Sequence, residues 1–332
     1  MKERSAENIL KTSTWTRVVL WTIGAVLLIM TVLGIYFSRE PEIFWVNHSA
    51  DADSAIVGVS TTDTLIRVAE TLLDKQGGYL SNDRMPPGVF LDNIPSWEFG
   101  VLIQVRDLGR VMRDDYSRSQ SQSKEDEDIA EGAPKFFFDN DSWIFPATES
   151  EYRHGIRSFI DYRKRLLDGD PDTQFYARAD NLREWLSQVE KRLGSLTRRL
   201  GNSVATSRIN DDLAGDASAT AAGSQADTVN VRTGWFQVDN VFFEARGTAW
   251  ALVHFFRAAE FDFARVLDDK NARASVRQII RELEASLQPL RSPMILNGGG
   301  YGLFANHSLV MANYLARANA AVINLRELLD QG

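Results

Sequence analysis

An uncharged run of 21 residues, Val18 to Ser38 (VVLWTIGAVLLIMTVLGIYFS), constrains this chain more than any other feature. About 20 apolar residues, each rising 1.5 Å in a helix, cross a hydrocarbon core of roughly 30 Å. A cleaved secretory signal has a shorter apolar region, about 7–15 residues, closed by small residues. Here the run exits through Tyr36-Phe37-Ser38-Arg39-Glu40-Pro41, which offers no such cleavage site. An uncleaved transmembrane signal-anchor over 18–38 is therefore expected. The chain holds no cysteine, which excludes a lipoprotein anchor.

Orientation follows from the flanks. Lys2, Arg4, Lys11 and Arg17 precede the run against only Glu3 and Glu7, whereas on the other side Arg39 is followed by Glu40, Glu42, Asp51 and Asp53. Basic flanks stay on the cytoplasmic side. This predicts a short cytoplasmic N-terminus (1–17), with the bulk of the chain outside. In a bacterium that compartment is the periplasm, and the protein is expected in the inner membrane. Only about 17 residues then remain inside, which disfavours a signalling role. A disulfide-free domain folds in either redox compartment.

Residues 1–39 take five basic and two acidic side chains from totals of 37 and 45, leaving the rest of the chain at a net charge of −11. An acidic domain of this kind is repelled by nucleic acid and by anionic headgroups, so nucleic acid is not an expected partner. The 293 residues after 39 suffice for a full hydrophobic core without staples.

Periodicity after a juxtamembrane segment (39–60) reads as helical. Thr62-Asp63 is the expected cap of a first helix, with Leu65, Val68, Ala69, Leu72 and Leu73 at helical spacing and Gly77-Gly78 as its stop. Ser96 is the expected cap of a second. The stretch SRSQSQSKEDEDIAEG looks too poor in apolar residues to pack, and 135–145 reads as irregular. Thr148 opens a further helix, and a long one runs from about Phe175 to Leu200 with the stripe Leu182, Trp185, Leu186, Val189, Leu193 and Leu196. Residues 203–230, rich in Ala, Ser, Thr, Gly and Asp, read as a flexible linker. Helices are expected near 240–267, 272–290 and 307–330. The predicted fold is mainly α, a transmembrane helix followed by an all-α, bundle-like extracytoplasmic domain, with two related halves (61–202 and 231–332) as one reading of it.

The notion of halves rests on self-comparison. At an offset of 100, residues 139–168 and 239–268 match at eight of 30 positions, including Asp139/Asp239, Asn140/Asn240, Thr148/Thr248 and His154/His254. About two matches are expected by chance from average composition. Duplication and coincidence both remain open.

Chemistry-bearing residues are sparse. The four histidines, His48, His154, His254 and His307, show neither H-x3-H nor H-E-x-x-H spacing, and there is no cysteine to complete a zinc site. One reading pairs Asp139 with His154 and Asp239 with His254, each aspartate orienting an imidazole. The plainer reading makes each Asp-Asn a turn or cap and each histidine a packing residue. No G-x-S-x-G elbow is present. Gly298-Gly-Gly-Tyr-Gly302 lacks the P-loop lysine and reads as a sharp turn that uses positive φ. If it binds anything, Asn297, Tyr301, Asn306 and His307 are the polar groups at hand. Acidic clusters at 114–115, 125–128, 211–212 and 268–269 sit in polar runs and read as solvated surface. Phe136 to Phe138, Trp143-Ile144-Phe145, Trp235-Phe236 and Phe242-Phe243 line either a groove or, more usually, a core. No catalytic, cofactor-binding or metal-binding residue is assigned.

The anchor, GGYLSNDRMPPGVFLDNIPSWEFGVLIQVRDL (77–108), FFFDNDSWIFPATESEYRHGI (136–156) and NGGGYGLFANHS together resemble the bacterial domain-of-unknown-function family 2333. That resemblance covers nearly the whole chain. It implies a single-pass inner-membrane protein of a Gram-negative envelope and transfers no activity, cofactor or residue role. The expected function is a non-enzymatic interaction or scaffolding module in envelope assembly or maintenance, whose partners are the lipid bilayer and other envelope proteins. The alternatives are an envelope-polymer hydrolase using paired carboxylates and a periplasmic ligand-binding module.

Overall fold

The computed structural model describes residues 2–46, 56–120, 123–204, 206–209, 228–231, 233–234, 237–292, 294–299 and 303–331, with backbone alone for 2–13, 206–209 and 228–231. Helix α1 spans Lys2–Phe37. Its Thr14–Phe37 stretch is, among the described residues, the one segment long and apolar enough to cross a membrane, as an anchor or a signal sequence. Trp15, Leu20, Trp21, Leu27 and Leu28 on it are exposed, as on a helix that has no protein around it.

The rest is a helical body. Its elements are α2 (Val59–Asp74), α3 (Asn93–Val111, prolonged by a π-turn to Tyr116), α4 (Glu127–Lys135), α5 (Thr148–Asp168), α6 (Ala179–Gly201), α7 (Val238–Asp262), α8 (Ala264–Asp269), α9 (Arg273–Ser286) and α10 (His307–Asp330). The mainly-α expectation holds. At the centre is α7, where all residues from Ala245 to Phe256 are buried. A helix without a polar face must be surrounded. Accordingly α2, α3, α6, α9 and α10 all pack against it.

The closest of these crossings is set by two glycines. A β-carbon on Gly100 of α3 would collide with the Glu244 carbonyl of α7, and one on Gly247 of α7 would collide with the Trp97 carbonyl of α3. Backbone thus meets backbone, and Thr248 Oγ1 donates to the Gly100 carbonyl at 3.3 Å. On the far side, α6 lies along α10. The expected α6 stripe from Leu182 to Leu196 is buried throughout. Leu65, Trp97 and Trp185 from before residue 203 share one continuous core with Trp250, Leu315 and Leu325 from after it.

Several local expectations change. Helix α2 starts at Val59, before the expected Thr62 cap, whose Oγ1 instead bonds the Gly58 carbonyl at 2.7 Å from within the first turn. Ser96 likewise lies inside α3, bonded back to the Asp92 carbonyl. The stretch expected to be too polar to pack contains α4, which buries Ile129, Gly132 and Ala133. Three small or apolar residues suffice there because α5 offers Gly155 opposite Gly132. Within the expected linker, β1 (Thr206–Ile209) pairs antiparallel with β2 (Thr228–Val231), Thr206 opposite Val231. Residues 210–227 lie outside the described residues.

The offset-100 similarity has no counterpart in this layout. Thr148 is the first residue of α5, whereas Thr248 lies well inside α7. Asp139-Asn140 sits in the loop before α5, and Asp239-Asn240 in the first turn of α7.

Candidate functional site

The most constructed polar feature is the contact between α7 and the segment that leaves α1. Pro41 fixes its own φ and pushes Glu40 toward extended backbone, so the chain exits α1 as a strap rather than a coil. Every second strap residue meets α7. Glu40 receives Arg246 Nε at 2.7 Å and Nη2 at 2.7 Å. The Glu42 carbonyl accepts from Trp250 Nε1 at 3.3 Å. The Phe44 amide donates to His254 Nε2 at 3.1 Å, and the Phe44 carbonyl accepts from Arg257 Nη1 at 3.1 Å. Residues 246, 250, 254 and 257 share one helix face. Two extended residues advance about 6.6 Å and four helical residues about 6 Å, so the two repeats stay in register.

Burial makes this contact strong. The Arg246 side chain is 6% exposed and also donates to the Gln288 carbonyl at 3.2 Å. Phe44 stacks on the His254 ring at 3.8 Å between centroids, and the Arg67 guanidinium lies 3.9 Å from the Phe44 centroid. His254 Nδ1 donates to the Trp250 carbonyl at 2.7 Å, which leaves Nε2 as the acceptor for Phe44. Burial, helped by Arg257 and Arg67, pushes the His254 pKa down to about 3. The imidazole is neutral at any physiological pH.

Helix α1 itself touches the body. Gly77 has φ +87° and no β-carbon, and the Phe37 ring occupies that space, its nearest atom 2.7 Å from where a β-carbon would be. The strap was not foreseen from sequence. Its one signal was Arg246, His254 and Arg257 on a single face of α7, whose centre is otherwise mostly apolar.

The sequence candidates are placed as follows. His254 pairs with Phe44, and Asp239, 15 residues earlier on α7 and so about 22 Å away, does not reach it. Asp239 accepts from the Asn240 amide at 3.1 Å in the first turn. Burial and then Asp92 raise its pKa. His154 Nε2 meets Glu131 Oε1 at 2.8 Å rather than Asp139. The Asp139 carbonyl accepts from Thr148 Oγ1 at 2.8 Å. Neither aspartate orients its proposed imidazole.

Asn297 and Asn306 form an antiparallel bridge that closes the glycine-rich turn. Asn306 also caps α10 through Leu309 N at 2.8 Å, and Asn297 Oδ1 accepts from Ser308 Oγ at 2.6 Å. Gly298 is needed because a β-carbon would collide with the Phe304 carbonyl, and its φ is not positive as expected. His307 Nδ1 accepts from the Leu296 amide at 3.2 Å. His307 borders a cleft of about 270 Å³ with Phe242, Arg246, Arg291 and Tyr314. Tyr301, His48 and Trp235-Phe236 lie outside the described residues. Trp143, Ile144 and Phe145, expected in the core, are exposed.

Among the described residues five carboxylates are buried, Glu98, Asp107, Asp126, Asp262 and Glu282, and burial raises the pKa of Glu98 and of Asp262. Glu98 contacts Lys75 at 2.6 Å and accepts from the Leu80 and Ser81 amides. Asp262 accepts from the Gly58 amide at 2.9 Å and from the Thr61 amide and hydroxyl at 2.6 Å, capping α2 from another helix. Their partners flank opposite ends of the 16-residue α2, about 24 Å apart. Among the described residues no three His, Asp or Glu side chains are grouped to hold a metal ion.

A family model described as an uncharacterized protein conserved in bacteria (DUF2333) matches residues 8–332. The chain belongs to this DUF2333 family. The match begins ahead of the apolar run, so the α1 span and the strap both lie within the family's extent. No curated protein and no solved structure matches the chain.

Proposed function

We propose that this DUF2333 protein is a single-pass protein of the bacterial inner membrane, N-terminus in the cytoplasm, whose periplasmic helical body serves as a non-enzymatic interaction or scaffolding module of the envelope. The observation that carries this reading is the strap. A cleaved signal has no reason to be built into the fold that follows it, yet Phe37 fills the space over Gly77 and the half-buried Glu40 pairs with the buried Arg246. A docked tether holds a body at fixed height and attitude above the bilayer. That suits presentation of a surface to neighbours.

The hydrolase alternative needs two acids about 5–9.5 Å apart, one of them desolvated. Glu98 and Asp262, two of the buried acids, are held apart by the length of α2 and accept from structural donors. The buried Asp107, Asp126 and Glu282 are paired with Arg192, Arg165 and Arg317. A ligand-binding module is the second reading, favoured by the cleft beside His307, where Phe242 supplies an apolar wall and Arg246 and Arg291 supply charge.

In-cell cross-linking with identification of captured proteins tests the scaffold. Reproducible capture of envelope proteins is expected. Absence of capture, together with digestion of wall fragments by the purified protein, refutes it. For topology, a periplasmic phosphatase fused after residue 332 is expected to be active. An inactive fusion alongside a working cytoplasmic fluorescent reporter refutes the orientation.

A further inference from the structure

Gly34 lies within the apolar run, about one turn before α1 ends, and Leu91 Cδ2 sits 3.8 Å from where a β-carbon on Gly34 would be. If α1 spans a bilayer, a residue touching its last turn stands at the level of the headgroups and the first acyl carbons. Leu91 closes a loop that carries Met85, Val89 and Phe90, all exposed, Phe90 at 78%. A second loop is fastened to it. Tyr79 Oη donates to the Asn140 carbonyl at 2.9 Å, Asn82 Nδ2 to the Ser142 carbonyl at 2.9 Å, and Arg84 Nη2 to the Asp141 carbonyl at 3.3 Å. That loop bares Trp143, Ile144 and Phe145, the last at 96%.

Two joined loops thus display six large apolar side chains, and one of the loops rests on the last turn of α1 through Leu91. We infer that Met85, Val89, Phe90, Trp143, Ile144 and Phe145 insert into the lipid interface of the leaflet facing the body, giving the domain a second membrane contact beside its anchor. The inference rests on the anchor reading above. Continuity with α1 through Leu91 and Phe37 selects lipid as the occupant. The residue types agree, since aromatic rings favour the headgroup boundary and soluble surfaces rarely gather so much apolar area. Asp83, Asp92, Asp139, Asp141 and Glu149 flank the loops, with Arg84 as the nearby cation. Insertion is therefore driven by apolar burial, not by attraction to anionic lipid, and the contact holds equally on neutral phosphatidylcholine.

Because the chain has no cysteine, single sites can be labelled without background. Leu27→Cys in the anchor, Phe90→Cys, Phe145→Cys and Arg281→Cys on α9 would each carry an environment-sensitive fluorophore on the full chain in phosphatidylcholine nanodiscs. Spin-labelled lipids quench at shallow or deep acyl positions, and iodide quenches from water. The labels at 90 and 145 are expected to shift to the blue and lose intensity to the shallow quencher, 27 to the deep one, and 281 to iodide alone. Labels at 90 and 145 that answer to iodide as 281 does, with 27 still quenched by lipid, overturn the patch and spare the anchor. A label at 27 that escapes lipid quenching overturns the anchor itself.

Discussion

Protonating His254 should unfasten the strap, and its cost follows from the geometry. In the folded protein Nδ1 donates to the Trp250 carbonyl and Nε2 accepts from the Phe44 amide, so a second ring proton would face an N–H donor. The charged groups facing the ring are Arg257 and Arg67, both of which oppose protonation. The folded pKa of about 3 lies below the ordinary 6.5, so the unfolded chain binds the proton first. Stability from this group is then fully present above pH 6.5 and is lost as pH falls toward 3. Linkage puts the loss at about 2 kcal/mol between pH 7 and pH 5, growing to about 4 kcal/mol by pH 3. Glu98 and Asp262 are shifted upward and act with the opposite sign, so the wild-type slope alone does not isolate the histidine. The difference from His254→Gln does. Denaturant unfolding of the full chain in detergent, followed by circular dichroism, should show the variant less stable at pH 7, with a gap that narrows by about 2 kcal/mol at pH 5. A gap unchanged across that range would refute the reasoning.

Three further outcomes follow from the same structure. Gly247→Ala forces α3 away from α7 and should cost about 1–3 kcal/mol or more in the same assay; a neutral result would mean the crossing is looser than described. Asp262→Ala strips the cap from α2 and leaves buried donors at Gly58 and Thr61, for a loss of about 2 kcal/mol or more, with amide exchange accelerated first at the start of α2. Burial, then Glu184 and Asp114, push the Asp115 carboxyl up to about 6. Its ionised form therefore weakens the fold above pH 6, and the penalty fades as pH falls toward 4. Asp115→Asn should raise the melting temperature at pH 7 and lose that advantage by pH 4; an unchanged melting temperature at pH 7 contradicts this.

Where helices are amphipathic and capped locally, the sequence was readable. The α6 stripe and the limits of α10, opened by Asn306, were both visible because each depends on neighbours within a turn or two. The start of α2 was not, because its cap is Asp262, some 200 residues away. Helix α4 escaped notice because Gly132 meets Gly155, and small residues pack closely without an apolar signature. The apolar triplet at 143–145 has the composition of a core, and composition does not say which side of a loop faces solvent. The strap depends on Glu40 finding Arg246, a pairing across 206 residues that no local pattern announces.

The central claim is that the segment between α1 and the helical body is docked rather than loose. Hydrogen exchange at single-residue resolution, on the full chain in nanodiscs at pH 7, tests it at the Phe44 amide. That amide has no helix or sheet to shelter it, and its bond to His254 is the reason for it to be slow. A docked strap predicts strong protection at Phe44, lost in His254→Leu while the centre of α7 stays protected. Exchange at Phe44 in the wild type at the rate of an unstructured peptide would contradict the docked tether.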